Sequence, residues 1–526
     1  MSHVVLTLLS AALSPPPVKW VHGYSFGRME SHPHAGVETS DGGFLMVGDG
    51  VDYFNRTTVQ RYILIAKTSK SGSLQWQQRI GACGANYGKF GLELDDGTFL
   101  VAGAACTPRR HGHGTVLVRM LLRLSADGQV ISMQSFQNSA EETGRRDGFM
   151  CITHAGEGIV FATGFVGGEN ATEGYDDEPM FLIWGGTAFL MKLAYDADDP
   201  VKPLEVIFER KLTPPPGAGF EASQGMRLLH DDASGTIAIS IASSDRPSNF
   251  QFGLAQTDLD GSINWMHIYP AQHNSSLNGH ASHPYALAAA PDGSGYVIGG
   301  LAVLWDASQI EYTQGRLAKM DAQYGSLIWD RRFTSPQRHT NIECYGLSPA
   351  PDGGYAVACG TGVEPELHPY DPPALRTWMA LVHRTDTAGS VVWQRNYTTN
   401  KGPPYRNNAG EYILTTRAGE FALFIDTQRY GSQSSGGNFG LMLLGRDTKL
   451  KGATVTVEEG TADLPGAHSA KAIEQETREG PVSVVEVGTG QVQPTSRNKT
   501  LEEEERRKRW ARARTRPLSS WSRRIA

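Results

Sequence analysis

The side chains best suited to chemistry in this chain are Arg146, His283, His339 and Arg406, with Arg110 and His34. They fall in polar connecting segments, outside the apolar runs that must build a core. A guanidinium offers planar paired donors to a carboxylate, a phosphate or vicinal hydroxyls. Imidazole donates, accepts and exchanges a proton near neutrality. Grouped at one opening, such residues would hold an anionic or polyhydroxyl ligand. Separately they would be surface or capping residues. Asp176-Asp177-Glu178 is an acidic run, but calcium takes six to eight oxygens, more than one run supplies. His111 and His113 would need further ligands to hold zinc. No metal and no cofactor is therefore expected. Nucleophile-elbow, zincin, phosphate-loop and dinucleotide patterns are absent in context, and single Asp and Glu residues are too numerous to nominate an acid–base pair.

What must position these residues is a repeat. A tight turn recurs at Ser40–Gly43, Asp95–Gly97, Ala155–Gly158, Asp232–Gly235, Pro291–Gly293, Pro351–Gly353 and Arg417–Gly419. A second recurs at Ser71-Gly72, Asp127-Gly128, Asp260-Gly261, Tyr324-Gly325 and Ala388-Gly389; the third unit reads Ala197-Asp198-Asp199-Pro200 instead. A bulky residue then recurs at Trp76, Met133, Phe208, Trp265, Trp329 and Trp393, spaced by 57 to 75 residues. Asp-Gly between apolar runs is a strong hairpin signal. Each unit reads as four antiparallel strands, A to D, with tight A–B and C–D turns. Runs such as Phe44–Gly48 and Phe99–Gly103 are apolar on both faces, as in sheets buried between neighbours. The expected fold is all-β: a seven-bladed β-propeller of four-stranded antiparallel blades.

The seventh unit lacks its last strand, while Val18-Lys19-Trp20-Val21-His22 is spare at the other end. That N-terminal strand is expected to complete the last blade and remove an open edge; Ala453–Glu458 is the alternative. Trp20, Trp76, Trp265, Trp329 and Trp393 are read as blade-packing residues. The propeller spans 17–450, residues 1–16 form a signal-peptide-like or disordered start, and 451–526 a polar, charged, largely disordered tail. Sixty Gly, 28 Pro and 20% charged residues fit an all-β chain rich in turns. The net charge of −7 argues against nucleic-acid binding by the propeller.

The pattern Asp-Gly-Gly-aromatic, then Gly, then Leu/Lys-x-Asp-x-x-Gly-x-x-x-Trp, resembles propeller repeats of secreted bacterial and archaeal proteins. Lys319–Trp329 is also similar to the tryptophan-docking motif of pyrroloquinoline-quinone propellers, a distant likeness. Quinone dehydrogenases of that group have eight blades, a vicinal cysteine pair and calcium. This chain has no Cys-Cys dipeptide and seven units, so the resemblance implies fold and not that activity. Related non-enzymatic propellers scaffold protein assemblies.

Cys344 and Cys359 flank a turn symmetrically and would face each other across strands A and B of the sixth unit, as a disulfide or as buried thiols. Cys83 and Cys106 would meet within the second unit. Sequons at Asn55, Asn170, Asn274 and Asn396, and one at Asn498, fit glycosylation in a secreted protein. Val4–Ala12 is too short to span a bilayer, and no stretch elsewhere is long enough. A monomer is expected, secreted or extracellular, with a cytoplasmic location as the alternative. The Glu502–Arg509 charge run is read as a solvated tail, or else as a nuclear signal or polyanion-binding segment.

In this topology the long B–C and D–A loops share one rim, where repeat arrays carry their binding face. The function expected is a non-catalytic interaction or ligand-binding propeller using that rim, its partner a protein, a carbohydrate or a small anion. The alternative is an extracellular hydrolase or lyase acting on a glycan-like substrate at the mouth of the central channel.

Overall fold

A computed structural model describes residues 13–449, apart from residue 28 and segments 53–59, 82–83, 109–114, 137–145, 169–184, 215–218, 245–249, 271–280, 306–310, 336–339, 363–377, 398–407 and 428–437; beyond 449 it describes only 484–486. The alternative clasp, Ala453–Glu458, lies outside the described residues.

Seven antiparallel sheets follow one another around a ring. Blade 1 is Glu30–Glu38, Phe44–Asp52, Gln60–Thr68 and Leu74–Ile80. The innermost A strands of blades 2 to 7 are Asn86–Glu93, Arg146–His154, Glu221–Asp231, Ala281–Ala289, Asn341–Pro349 and Asn408–Thr415. Blade 7 holds three strands from the C-terminal side, and Val18–Tyr24 adds the fourth against Asn438–Leu444, with Trp20 opposite Leu443. The N-terminal clasp is therefore formed. Leu13–Ser14 pairs with Thr448–Lys449 beside it, and Val484–Glu486 adds a fifth strand to the outer edge of blade 5.

Burial explains the ring. The B and C strands are apolar on both faces because each sheet is sandwiched between two others: Leu45, Met46 and Val47 are all fully buried, alternately facing different neighbours. Turn glycines such as Gly42 (φ 78°) and Gly128 (φ 83°) take the left-handed conformation that tight turns need.

The outer tryptophans join each blade to the next. Trp76 of blade 1 lies on the C–D turn of blade 2, where a Cβ on Gly128 would sit 2.5 Å from its ring, and its Nε1 donates to the Ala126 carbonyl at 2.9 Å. Trp20 docks likewise on Gly72, Phe208 on Gly261, Trp265 on Gly325 and Trp329 on Gly389. Blade 3 has lost this turn: Asp196 instead caps it, accepting from the Asp198 and Asp199 amides. Its neighbour, blade 2, carries Met133 at the tryptophan position, 53% exposed. The docking residue has gone with its dock.

Trp393 is 6% exposed and its Nε1 donates to Asp447 at 3.1 Å. Trp393→Ala should cost roughly 3–5 kcal/mol, as a buried ring does, whereas Met133→Ala should cost under about 1 kcal/mol. Urea unfolding of both variants checks the contrast; equal losses would show that docking on the next blade is not what stabilises the seam.

Candidate functional site

Each A strand breaks register with its B strand at the same place, bulging one residue out of the ladder: His34, Lys89, Met150, Met226, Tyr285, Tyr345 and Glu411 in blades 1 to 7; blades 3 and 4 break a second time, at Asp147 and Ser223. A bulge re-aims the side chain it carries. In a blade, regular strand positions face neighbouring sheets; the bulged residue of the innermost strand turns toward the ring axis instead. Glycine on strand B makes room. A Cβ on Gly48 would lie 1.9 Å from the His32 carbonyl oxygen, and one on Gly103 would lie 1.8 Å from that of Tyr87.

The seven side chains form a ring around the channel. The Tyr285 and Tyr345 rings are 5.0 Å apart. Met150, Met226 and Tyr285 share one apolar cluster, against which Tyr345 packs. Glu411, His34 and Lys89 complete the circle on the polar side. Behind this ring Arg227 of blade 4 reaches across to donate to the His34 carbonyl oxygen of blade 1 at 3.4 Å, and lies 5.7 Å over Phe90. Phe90 and Tyr412, from blades 2 and 7, meet edge to face at 6.3 Å. Arg227, Phe90 and Tyr412 each follow a bulged residue along the A strand, so these contacts cross the ring beneath the bulged side chains, which make up the candidate cup.

Two charged groups of different kinds line it. Asp49 is fully buried, with its carboxylate 2.7 Å from Arg61 Nη1, 2.9 Å from His34 Nε2 and 3.4 Å from Lys89 Nζ. Burial pulls the Asp49 carboxyl upward, but Lys89, His34 and Arg61 outweigh it and hold it well below the usual carboxylate range. Burial and the nearby Lys89 charge push His34 down to about 3, so it is neutral. Lys89 is lowered by burial to about 8.

The second group faces the mouth. His32 Nδ1 is 3.3 Å from Asp426, and its Nε2 is 3.7 Å from Glu30. Burial works against the imidazolium, but Asp426 and Glu30 hold its pKa well above the ordinary histidine value. Glu411, the bulged residue of blade 7, sits among them. Burial, with Asp426 and Glu343 adding repulsion against the opposing pull of His32, pushes its carboxyl up to about 8. Tyr345 donates to Glu343, which also accepts from Thr313 Oγ1 at 3.3 Å. A protonated carboxyl beside other carboxyl groups and an imidazolium can donate a proton to a ligand oxygen, while its neighbours accept hydrogen bonds.

Of the residues singled out from sequence, His34 belongs to the ring. His283 stands at the mouth side, 3.5 Å from the Tyr285 hydroxyl and edge-on to Phe250. Arg146 opens the A strand of blade 3, half-buried, opposite Gly168. His339, Arg406 and Arg110 lie outside the described residues, as do Asn55, Asn170 and Asn274; Asn396 is exposed on an outer strand. Cys344 and Cys359 form a disulfide, Cys106 is disulfide-bonded to a partner outside the described residues, and Cys151 is a buried free thiol. Glu411, Lys89, Tyr345, Asp49 and Asp426 were not singled out from sequence. For His34 and Lys89 the sequence signal is a strand-interior glycine opposite the bulge, Val47-Gly48 and Ala102-Gly103; strand B of blade 7 has no glycine, and nothing local marks Glu411. A groove of about 670 Å³ lined by Trp265, His267 and Tyr324 is distinct from the channel. It is the seam where Trp265 docks on Gly325.

No family model matches the chain, and no curated protein matches it. Solved structures with similar overall form include a protein of unknown function from Dyadobacter fermentans (12% identity, TM-score 0.39, covering 82% of this chain and 100% of that one). A putative glucose dehydrogenase from Thermus thermophilus shares 12% identity at TM-score 0.33, covering 67% and 94%. A polysaccharide lyase, an ulvan lyase, shares 10% at TM-score 0.38, covering 64% and 79%. No helix among the described residues is long and apolar enough to cross a membrane.

Asp49→Ala should cost roughly 3–5 kcal/mol, because it leaves Lys89 and Arg61 buried without their anion. Denaturant unfolding checks this; a loss under about 1 kcal/mol would mean that water reaches the cluster. Glu411 has the opposite signature to an ordinary paired carboxylate. Unfolded, it releases its proton near 4.5; folded, near 8. Between those values the folded state binds the extra proton, so stability falls as pH rises. Glu411→Gln removes the ionisation, and its melting temperature should rise above that of the wild type progressively from pH 5 to 8. A difference that does not change with pH would place Glu411 in water.

Proposed function

We propose that the cup at the long-loop mouth of the channel is an acid–base site for a polyhydroxyl, glycan-like ligand, and that Glu411 is its proton donor. The observation that supports this most is the placement of Glu411. A bulge turns its carboxyl into the channel, where burial keeps it protonated beside Asp426, Glu343 and His32. Glycosidic cleavage needs a proton on the departing oxygen and a base or anion facing the same bond. Glu411 supplies the first; Asp426 and Glu343 are the candidate anions for the second. The two halves of the ring suit a sugar: carboxyl groups and Tyr345 meet hydroxyls, and Met150 and Met226 offer an apolar surface for C–H faces. Arg146 and His283 stand on the approach, where they favour an acidic substituent.

A second reading keeps the cup and drops the chemistry: a non-catalytic binding propeller using the same rim. The burial of His34, Lys89, Met150, Met226 and Tyr285, five of the seven bulged residues, supports it. An extracellular location is proposed as well, and is supported by the Cys344–Cys359 disulfide and by the oxidised Cys106.

The test separates the readings. Neutral and acidic oligosaccharides are screened for binding and for chain cleavage with the wild type, Glu411→Gln and Glu411→Ala. Glu411→Gln keeps a neutral donor of the same size but carries no transferable proton. It should bind within about threefold of the wild type and lose roughly 10²–10⁴-fold in turnover. Binding without turnover in the wild type, unchanged in Glu411→Gln, would establish the non-catalytic reading. Unchanged turnover in Glu411→Gln, or no binding of any glycan, would overturn the assignment.

A further inference from the structure

His383, on strand C of blade 6 (Met379–Thr385), is fully buried, and neither ring nitrogen has a hydrogen-bond partner. A buried polar group without a partner costs about 1–3 kcal/mol and calls for a reason. Its surroundings are apolar. The ring stacks on Phe333 of blade 5 at 4.5 Å and 18°, and burial pushes it down to about 3, leaving neutral imidazole. The polar atoms it does approach are sulfurs. One ring nitrogen and the sulfurs of Cys344 and Cys359 all lie within 4.8 Å of one another, and all three residues are fully buried. Register explains the grouping. Cys344 is opposite Cys359, and His383 is opposite Val357, two residues from Cys359 on the same sheet face, the face that packs on blade 5.

Two sulfurs and a neutral imidazole, held by three adjacent strands, are the donor set of a soft metal ion. We propose that, when the Cys344–Cys359 disulfide is reduced, the two thiolates and His383 Nδ1 or Nε2 bind one thiophilic metal ion, Zn²⁺ or Cu⁺, in the seam between blades 5 and 6. The chemistry balances. A dithiol reductant breaks the S–S bond, gives up two electrons and two protons to make two thiols, and is itself oxidised to a disulfide. The metal then displaces one proton from each thiol. His383 needs no deprotonation, being neutral already. Disulfide and metal are thus mutually exclusive links across the same strands: oxidation excludes the ion, and reduction admits it. The orphan imidazole then has a partner in one of the two states. This inference is independent of the channel cup, which lies on the A-strand edge and uses none of these residues.

The experiment produces the full chain in zinc-supplemented medium and purifies it with and without a dithiol. Bound metal is measured after desalting, and Cd²⁺ is exchanged in to read the thiolate-to-metal absorption band. Variants are Cys344→Ser/Cys359→Ser, and His383→Phe, which preserves the stacking on Phe333. The reduced wild type should retain about one equivalent of metal and show the Cd²⁺ band. The oxidised wild type and the double serine variant should retain none at this site. His383→Phe should bind at least tenfold more weakly while keeping its disulfide under oxidising conditions. Reduced wild type without metal, or equal metal in the double serine variant, would overturn the proposal. So would unchanged affinity in His383→Phe with its fold intact by circular dichroism.

Discussion

A sheet that is apolar on both faces exists only between two others, and that constraint governs this molecule. No blade can be an end. The ring satisfies every blade only when the last meets the first, which is why Val18–Tyr24 leaves the start of the chain to pair with Asn438–Leu444. Trp20 on that strand then docks on Gly72 of blade 1, the same contact that links other consecutive blades. The seam between blades 2 and 3 shows the rule by its exception. Where the glycine turn is missing, the facing aromatic is missing too, and Met133 is left in water. Docking is a pairwise device, so losing one partner removes the advantage of keeping the other.

Ring closure also makes the channel chemistry possible. A β-bulge breaks a ladder, and burying Lys89 and Asp49 removes both charges from water; either alone weighs against folding. The bulges and Lys89 occur on the innermost strands, and Asp49 on the strand B behind, all held by neighbouring blades on each side. The close approach of a strand B glycine to the carbonyl before the bulge, as between Gly103 and Tyr87, can be kept only by a rigid frame. The rigid ring offsets this cost in several seams at once. In exchange, side chains that a regular strand would point at a neighbouring sheet point at the axis.

Blade number, strand order and the clasp were legible in the sequence because they rest on local signals: Asp-Gly turns, doubly apolar runs and a spare strand carrying Trp20. The site was less so. His34 was singled out for its chemistry and is in the ring, but Glu411 looks like any other glutamate. Its role depends on one unpaired position, on burial, and on Asp426, Glu343 and His32 arriving from three blades. Asp426 shares the hairpin of Glu411, but Glu343 and His32 lie about 70 and 380 positions away, and no spacing rule links those. What the sequence does contain, in some blades, is a glycine late in strand B: Gly48, Gly103 and Gly300 lie against a carbonyl two residues before the bulge, while strand B of blades 4 and 7 has none. The pairing of Cys344 and Cys359 was legible because a tight turn fixes its own register. His383 was not, since it joins them from a third strand.

The two charged groups of the channel show how one ring can hold both a support and a reactive group. Around Asp49 one carboxylate meets two cations, Arg61 and Lys89, with neutral His34 completing its hydrogen bonds. Such a cluster gains little from a ligand, because its anion is already satisfied. Around Glu411 the balance tips the other way. Burial, with repulsion from Asp426 and Glu343, outweighs the pull of His32 and Lys89, and Glu411 keeps its proton. A group that holds a proton because its surroundings repel the anion will give it up when a ligand brings positive charge or displaces a neighbouring carboxylate. The imbalance, and not the number of polar residues, is what separates the reactive side of the cup from its support.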